Sequence, residues 1–363
     1  MDMSEKIKDR IKERVAANNL GEKLQKAGVP EAVSPWFVDS PAVSAATGNY
    51  VLLSALVPNW KKSKAYEDMA ILVHDAEEFP ENVRVHIPEI DPNYRPNLKS
   101  LCELAYAIEQ TNTNILLTGL PSVGKSSLVK YYCALTKRPL YRFNYNGTMD
   151  SSSILGTFSA RNGTTEWHDG FLTEGIQVPY AVLLHDEWTT APPETMMSLQ
   201  NVLELNGYLI LPDKPGSSED KIVRPAGNVR HVFADNTKGN GDVSGKFVGT
   251  QPQNTATLDR IGSFIQVDFL DIKDEIAMLK ASYPAATDKL LEAMCRVANL
   301  ARGSYTKGDL SVVMSARVLF SWVQHSLNLK DYMKGLEIAY LNRFDSPSEQ
   351  EAIKAIVETV FGR

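Results

Sequence analysis

Asn114-Ile115-Leu116-Leu117-Thr118 runs directly into Gly119-Leu120-Pro121-Ser122-Val123-Gly124-Lys125-Ser126-Ser127. The second part has the spacing G-x-x-x-x-G-K-[ST], set between an apolar strand and a helix, the context in which that spacing has a physical meaning. Glycines there let backbone N–H groups curl around phosphate oxygens, while Lys125 reaches the β and γ oxygens and Ser126 is placed to ligate Mg²⁺. The stretch predicts a nucleoside triphosphate site, with Gly119, Pro121, Ser122, Val123, Gly124, Lys125, Ser126 and Ser127 holding ATP.

Phosphate binding alone hydrolyses nothing, so a metal partner and a base are needed. Leu183-Leu184-His185-Asp186-Glu187 ends an apolar strand with two adjacent carboxylates. Asp186 is placed to hold hydrated Mg²⁺ and Glu187 to orient and deprotonate the attacking water. His185 has no second His or Cys nearby and reads as a strand residue, not a metal ligand. A later strand ends Phe233-Ala234-Asp235-Asn236, and Asn236 can hydrogen-bond the water or the γ-phosphate. Asn144, at another strand end, is either a turn former or a switch that holds Glu187 back. Two arginines follow. Arg260, in Leu258-Asp259-Arg260, is expected to point toward a neighbouring subunit and supply transition-state charge in trans. Arg317, opening a helix in Ser315-Ala316-Arg317, can reach the γ-phosphate and couple a lid to the nucleotide. Taken singly, each arginine would be read as a surface ion pair; their order after the nucleotide motifs lifts them.

Around these motifs the text alternates helix and strand. Helix 98–110, strand 114–119, a helix from Lys125 to about Thr136, and strands 139–146, 180–187, 228–236 and 263–269 predict a parallel sheet covered on both faces. Between the second and third strands, Asn162-Gly163 is a strong hairpin turn signal that sets Phe158 opposite Trp167. A second hairpin pairs 208–211 with 221–224. Beyond Asp271 the pattern is helical, over 273–282, 286–302, 311–327, 331–342 and 347–360. Residues 4–27 carry the period of an amphipathic helix or helix pair, and another helix is expected near 64–76. The division that follows is a helical N-terminal segment 1–84, an α/β core 85–270 and an α-helical lid 271–363.

At 363 residues the chain suggests two or three domains, and 43% hydrophobic with 23% charged residues is ordinary for a globular protein. A net charge of −6 weighs against nucleic acid as partner. Cys102, Cys133 and Cys295 are odd in number and far apart, which argues against a disulfide framework or zinc ribbon. The charged N-terminus leads into no apolar signal segment, and no apolar run is long enough to span a membrane, so a cytoplasmic protein is expected.

Taken together, these features resemble the AAA+ ATPases of the MoxR-like branch, and within it most closely the CobS family, the small AAA+ subunits of aerobic cobaltochelatase. The resemblance begins near His86-Ile87-Pro88-Glu89-Ile90-Asp91-Pro92-Asn93-Tyr94. It includes Gly239-Asn240-Gly241-Asp242, Gly249-Thr250-Gln251, Leu258-Asp259-Arg260, Gly308-Asp309-Leu310-Ser311 and Met314-Ser315-Ala316-Arg317. It implies a three-layer P-loop sandwich around a five-stranded parallel sheet with a helical lid. Asn236 takes the place of sensor one, Arg260 of the arginine finger and Arg317 of sensor two. Ala316 stands where the family usually has proline, and alanine tolerates a helix start. The resemblance further implies a homo-hexamer with ATP and Mg²⁺ at each subunit boundary. Its partners would be a von Willebrand-type subunit and a large chelating subunit, inserting Co²⁺ into hydrogenobyrinic acid a,c-diamide. The first eighty or so residues have no clear counterpart there. Two alternatives stay open: a MoxR-type ATPase remodelling another von Willebrand-domain protein, and a ring that ATP merely holds together as a scaffold.

Overall fold

The computed structural model describes residues 49–58, 60–63, 66–161, 163–241 and 249–362. The amphipathic pattern of 4–27, Asn162 of the hairpin turn and Asp242 lie outside the described residues. In chain order the strands are β1 (Asn49–Leu52), β2 (Ala70–Val73), β3 (Asn114–Thr118), β4 (Leu140–Asn144), β5 (Gly156–Arg161), β6 (Thr164–Asp169), β7 (Val182–Asp186), β8 (Leu209–Ile210), β9 (Ile222–Val223), β10 (Arg230–Asp235) and β11 (Ile261–Gln266). The longer helices of the core are α1 (Leu98–Gln110) and α2 (Lys125–Thr136), and the short α3 (Thr255–Asp259) leads into β11.

Five strands form a parallel sheet in the order β11-β3-β10-β7-β4. Alternate residues feed two separate apolar clusters. Leu116, Phe143, Leu183 and Phe233 face one, while Ile115, Leu117, Val182, Leu184, Val232 and Ala234 face the other with α1 and α2. This is why the strands read as continuous apolar runs: a sheet covered on both faces has no polar side to present. Because β10 is inserted between β3 and β7, the carboxyl ends of these three strands are neighbours. Asp235 is level with Thr118, and Ala234 with Asp186. Ligands of such sheets bind outside the carboxyl ends of the strands, and Lys125, Ser126, Asp186, Glu187 and Asn236 sit there.

The expected hairpin forms as β5–β6, with Phe158 opposite Trp167 and their rings edge-to-face at 5.2 Å. The second hairpin is short, β8 with β9. The helix expected near 64–76 does not form. Its described residues include strand β2, which pairs antiparallel with β1, and a bond from His74 N–H to the Thr136 carbonyl (3.0 Å) ties this ribbon to the end of α2. The physical reason is that Ala70-Ile71-Leu72-Val73, four apolar residues in a row, fits a short helix or a strand locally, and pairing with β1 decides for the strand. Leu53, Val57 and Ile71 belong to the same apolar cluster as α1 and α2, so the packing of the α/β core reaches back well before residue 85.

Beyond β11 come α4 (Ile272–Ser282), α5 (Asp288–Lys307), α6 (Ala316–Leu329), α7 (Tyr332–Ala339) and α8 (Pro347–Phe361), packed around their own apolar cluster. Gly308, at φ +87°, ends α5, and the Ser315 hydroxyl accepts the Val318 N–H (3.3 Å) to cap α6. Trp322 is fully buried and donates its indole N–H to the Tyr332 carbonyl at 2.8 Å. At the α6–α7 crossing Gly335 has no room for a side chain: a Cβ there would lie 2.4 Å from Ser326 Oγ and 2.7 Å from its backbone nitrogen. Gly335→Ala is therefore expected to force the two helices apart and cost about 1–3 kcal/mol, as overpacking does. Glu337→Ala, on the exposed face of α7, should leave the melting temperature nearly unchanged. Thermal denaturation of the two variants checks this.

Candidate active site

The loop between β3 and α2 has a backbone built to surround an anion. Gly119 (φ +154°), Ser122 (φ +60°) and Gly124 (φ +98°) all adopt positive φ, and Gly124 is the last residue before α2. Gly119 is needed for space as well, because a Cβ would come within 2.2 Å of the Val267 carbonyl oxygen. Free N–H groups at the start of α2 and in the loop make this an anion-binding concavity. The ammonium of Lys125 closes it, donating to the carbonyls of Gly119 (2.9 Å) and Leu120 (3.2 Å) and to Asn236 Oδ1 (2.9 Å). Lys125 is only 8% exposed. Burial pushes its pKa below the ordinary lysine value, opposed by Glu187, Asp235 and Asp186.

Asp186 Oδ2 is the meeting point of several groups. It accepts the Ser126 hydroxyl at 2.7 Å and two bonds from Arg142, from Nε at 3.0 Å and Nη2 at 2.5 Å. Glu187 follows in the left-handed region (φ +54°), its N–H bonded to the Ala234 carbonyl at 3.0 Å. Such a conformation is costly for a side chain bearing a Cβ and tends to mark functional positions. Asn236 links the two halves of the site: its Oδ1 accepts from Lys125 and its Nδ2 donates to Glu187 Oε2 at 3.4 Å. The Glu187 carboxyl is pushed above the usual range, first by burial, then by Asp235 and Asp186, with Lys125 and Arg317 pulling the other way. Asn144 stands opposite Asp186 and lines the cleft. The hydrogen bond to Glu187 comes from Asn236 and not from Asn144.

His185 points into the sheet, away from the carboxylates. Its Nδ1 is 2.8 Å from the Tyr145 hydroxyl and its Nε2 is 3.0 Å from His231 Nδ1, with Phe143 and Phe233 stacked on its faces. Full burial drives its pKa well below that of free histidine, and the His231 charge would drive it further. It is a neutral core residue.

From the lid, Arg317 lines the same cleft, close enough for its charge to act on both Lys125 and Glu187. The cleft measures about 840 Å³, and Tyr94, Met278, Tyr283 and Phe320 are among its lining. That volume is in the range of cofactor and nucleotide sites. The structure thus brings together Lys125, Ser126, Asp186, Glu187, Asn236 and Arg317. Arg260 is elsewhere. It donates Nη1 to the Ala256 carbonyl (2.5 Å) and Nη2 to Glu204, beside a second, smaller hollow lined by Asn112, Leu205 and Asp259.

Sequence reasoning missed two participants. Arg142 was signalled by alternation, since it lies two residues before Asn144 on the same face of β4. Asp235 was passed over in favour of its neighbour Asn236. It is fully buried, accepts from the backbone N–H (3.0 Å) and hydroxyl (2.5 Å) of Thr237, and adds its charge to that of Glu187.

A strand-borne phosphate loop, an acidic strand end, a polar third strand tip and an arginine-bearing helical lid define an AAA+ ATPase, and this chain belongs to that family. The family described as AAA domain (dynein-related subfamily) matches residues 114–247. The aerobic cobaltochelatase subunit CobS of a Sinorhizobium species is 29% identical over 268 residues, covering 72% of this chain and 79% of that one. BssE of Thauera aromatica, named as a chaperone, is 30% identical over 240 residues, covering 64% of this chain and 77% of that protein. Among solved structures, a RuvB P216G mutant of Thermotoga maritima aligns over 79% of this chain and 80% of that one at 15% identity, with a TM-score of 0.44.

The raised pKa of Glu187 has a consequence for stability. A folded-state carboxyl that holds its proton more tightly than the unfolded one destabilises the fold as pH rises from the ordinary glutamate value through the raised one. Glu187→Gln removes that cost. The variant should melt at a higher temperature than the parent near neutral pH without nucleotide, and the difference should vanish as the pH falls below the ordinary glutamate pKa. Melting curves against pH check the sign.

Proposed function

We propose that this chain is the ATP-hydrolysing subunit of a cytoplasmic homo-hexameric ring, whose active centres are each completed by an arginine from the next subunit. One observation carries this reading: Lys125, Ser126, Asp186, Glu187, Asn236 and Arg317 converge on one cleft, while Arg260 lies outside it. In this reading the loop from Gly119 to Ser127 holds the phosphates through its N–H groups. Lys125 and Arg317 offset the charge of the γ-phosphate. Glu187, its proton affinity raised by burial and neighbouring carboxylates, takes the proton of the attacking water. The Asn236 amide holds Glu187 and Lys125 in fixed relation. Ser126 Oγ and Asp186 Oδ2, 2.7 Å apart, are hard oxygen donors of the kind Mg²⁺ accepts, so these two residues would hold it. When bound, that ion supplies charge neutralisation at the phosphate oxygens.

The finger role has a sharp test. Arg260→Ala rings should lose turnover while keeping nucleotide binding. Mixing them with Lys125→Ala subunits should restore part of it, because some boundaries then join an intact cradle to an intact arginine. No recovery at any mixing ratio rejects a contribution in trans.

For the work the ring performs, the likeness to a cobaltochelatase subunit supports Co²⁺ insertion into a corrin precursor such as hydrogenobyrinic acid a,c-diamide, with a von Willebrand-type subunit and a large chelating subunit. The likeness to a protein named as a chaperone favours a second reading, remodelling of a different von Willebrand-domain partner. Purified with its own large and von Willebrand-type partners, the chain should drive ATP-dependent Co²⁺ insertion, followed by the change in the macrocycle's absorption. ATP consumption without insertion selects the second reading.

A further inference from the structure

Behind the cleft, one buried guanidinium joins three parts of the chain. Arg302, on α5 and 5% exposed, grips the carboxylate of Glu275 on α4, itself 1% exposed. Nη2 donates to Oε1 at 2.8 Å and Nη1 to Oε2 at 3.0 Å. Nη1 also reaches Asn299 Oδ1 at 3.3 Å. Nε donates to the Met314 carbonyl at 2.8 Å, and the guanidinium carbon lies 3.9 Å from the centre of the Phe269 ring. Each contact lands on a different segment. Phe269 lies in the connection between β11 and α4, Glu275 is in the first lid helix, and Met314 immediately precedes the Ser315 cap from which α6 presents Arg317. Phe269, Glu275 and Arg317 all line the nucleotide cleft.

Stability alone does not account for this arrangement. Burying an ion pair costs desolvation that its attraction roughly repays, and an apolar pair of similar volume is often as stable or better. What a planar fork provides is fixed direction: two parallel bonds to a carboxylate and a third at a set angle, which a lysine cannot reproduce. We propose that Arg302 is a positioning residue for turnover, fixing the start of α6, and with it Arg317, relative to the first lid helix and to Phe269 in the connection that would serve as its hinge. The inference rests on the reading that Arg317 acts at the γ-phosphate. Lid and core then move as linked bodies: displacement at the hinge reaches Arg317 through one rigid group instead of being lost in a flexible loop.

The test is a double-mutant cycle between Arg302→Lys and Arg317→Ala in the full chain. Two quantities are read: the preference for ATP over ADP by fluorescent-nucleotide competition in a Glu187→Gln background, and kcat for ATP without that substitution. Arg317→Ala is expected to reduce both. Arg302→Lys should reproduce most of that loss, about tenfold in kcat, yet add less than about twofold in the Arg317→Ala background, since residues acting as one unit are not additive. The shape-matched pair Glu275→Gln with Arg302→Met leaves no lone buried charge. If melting shows Arg302→Lys poorly folded, the pair replaces it and should give the same pattern. A full, multiplicative Arg302 effect in the Arg317→Ala background overturns the inference but leaves the Arg317 role standing, as does a folded Arg302→Lys with unchanged kcat and ATP preference. Normal turnover and ATP preference in Arg317→Ala sink the Arg317 role and this inference with it.

Discussion

The molecule's chemistry depends on the insertion of β10 between β3 and β7. Parallel pairing puts the carboxyl ends of the three strands level, so the phosphate loop, the carboxylates and Asn236 emerge within reach of one another. No loop needs to be long or mobile to bring them there. The register is held by two apolar clusters, one on each face, and slipping any strand by one residue would exchange its contributions between them. Packing energy spread over the whole sheet thereby fixes the position of a handful of polar atoms at its edge.

Those polar atoms are in tension. Asp186 and Glu187 line the cleft with Asp235 buried close enough to act on Glu187, and Lys125, Arg142 and Arg317 answer them. Burial and like charge raise the Glu187 pKa, while burial lowers that of Lys125 against the pull of the same carboxylates. At Glu187, burial and the neighbouring carboxylates outweigh the opposing pull of Lys125 and Arg317. Arg142 answers part of that imbalance, its two bonds to Asp186 Oδ2 sharing an oxygen with Ser126. The left-handed backbone of Glu187 is a further local cost that the surrounding sheet must sustain.

Much of this was legible in the sequence, and the parts that were not have identifiable causes. Continuous apolar strands and the phosphate loop marked the core, because each pattern has one main structural solution. The β1–β2 ribbon was misread since four apolar residues flanked by polar text fit a short helix or a strand, and only its distant partner decides between them. For α6 the helical period suggested a start at 311 while Ser315-Ala316-Arg317 read as a helix opening, and the Ser315 cap decides for the second. Arg142 shares a face of β4 with Asn144, a signal that was passed over, and the charge of Asp235 reaches Glu187 across strands, which no local pattern contains. Arg302 did leave a trace: it lies on the buried stripe of α5 with Ala298, Ala301 and Tyr305, where an arginine stands out.

The three arginines divide the work by geometry. Arg317 lines the cleft beside the phosphate loop, Arg302 lies buried and bonds the carbonyl of Met314 just before the cap of α6, and Arg260 sits outside the cleft on the short path from α3 into β11. In the single chain Arg260 is held by the Ala256 carbonyl and Glu204, with its Nε buried and unpartnered. Glu204 is half exposed, so solvent screens this pair and its contribution to stability is small. An anion reaching this surface could therefore compete with Glu204 for the guanidinium at little cost.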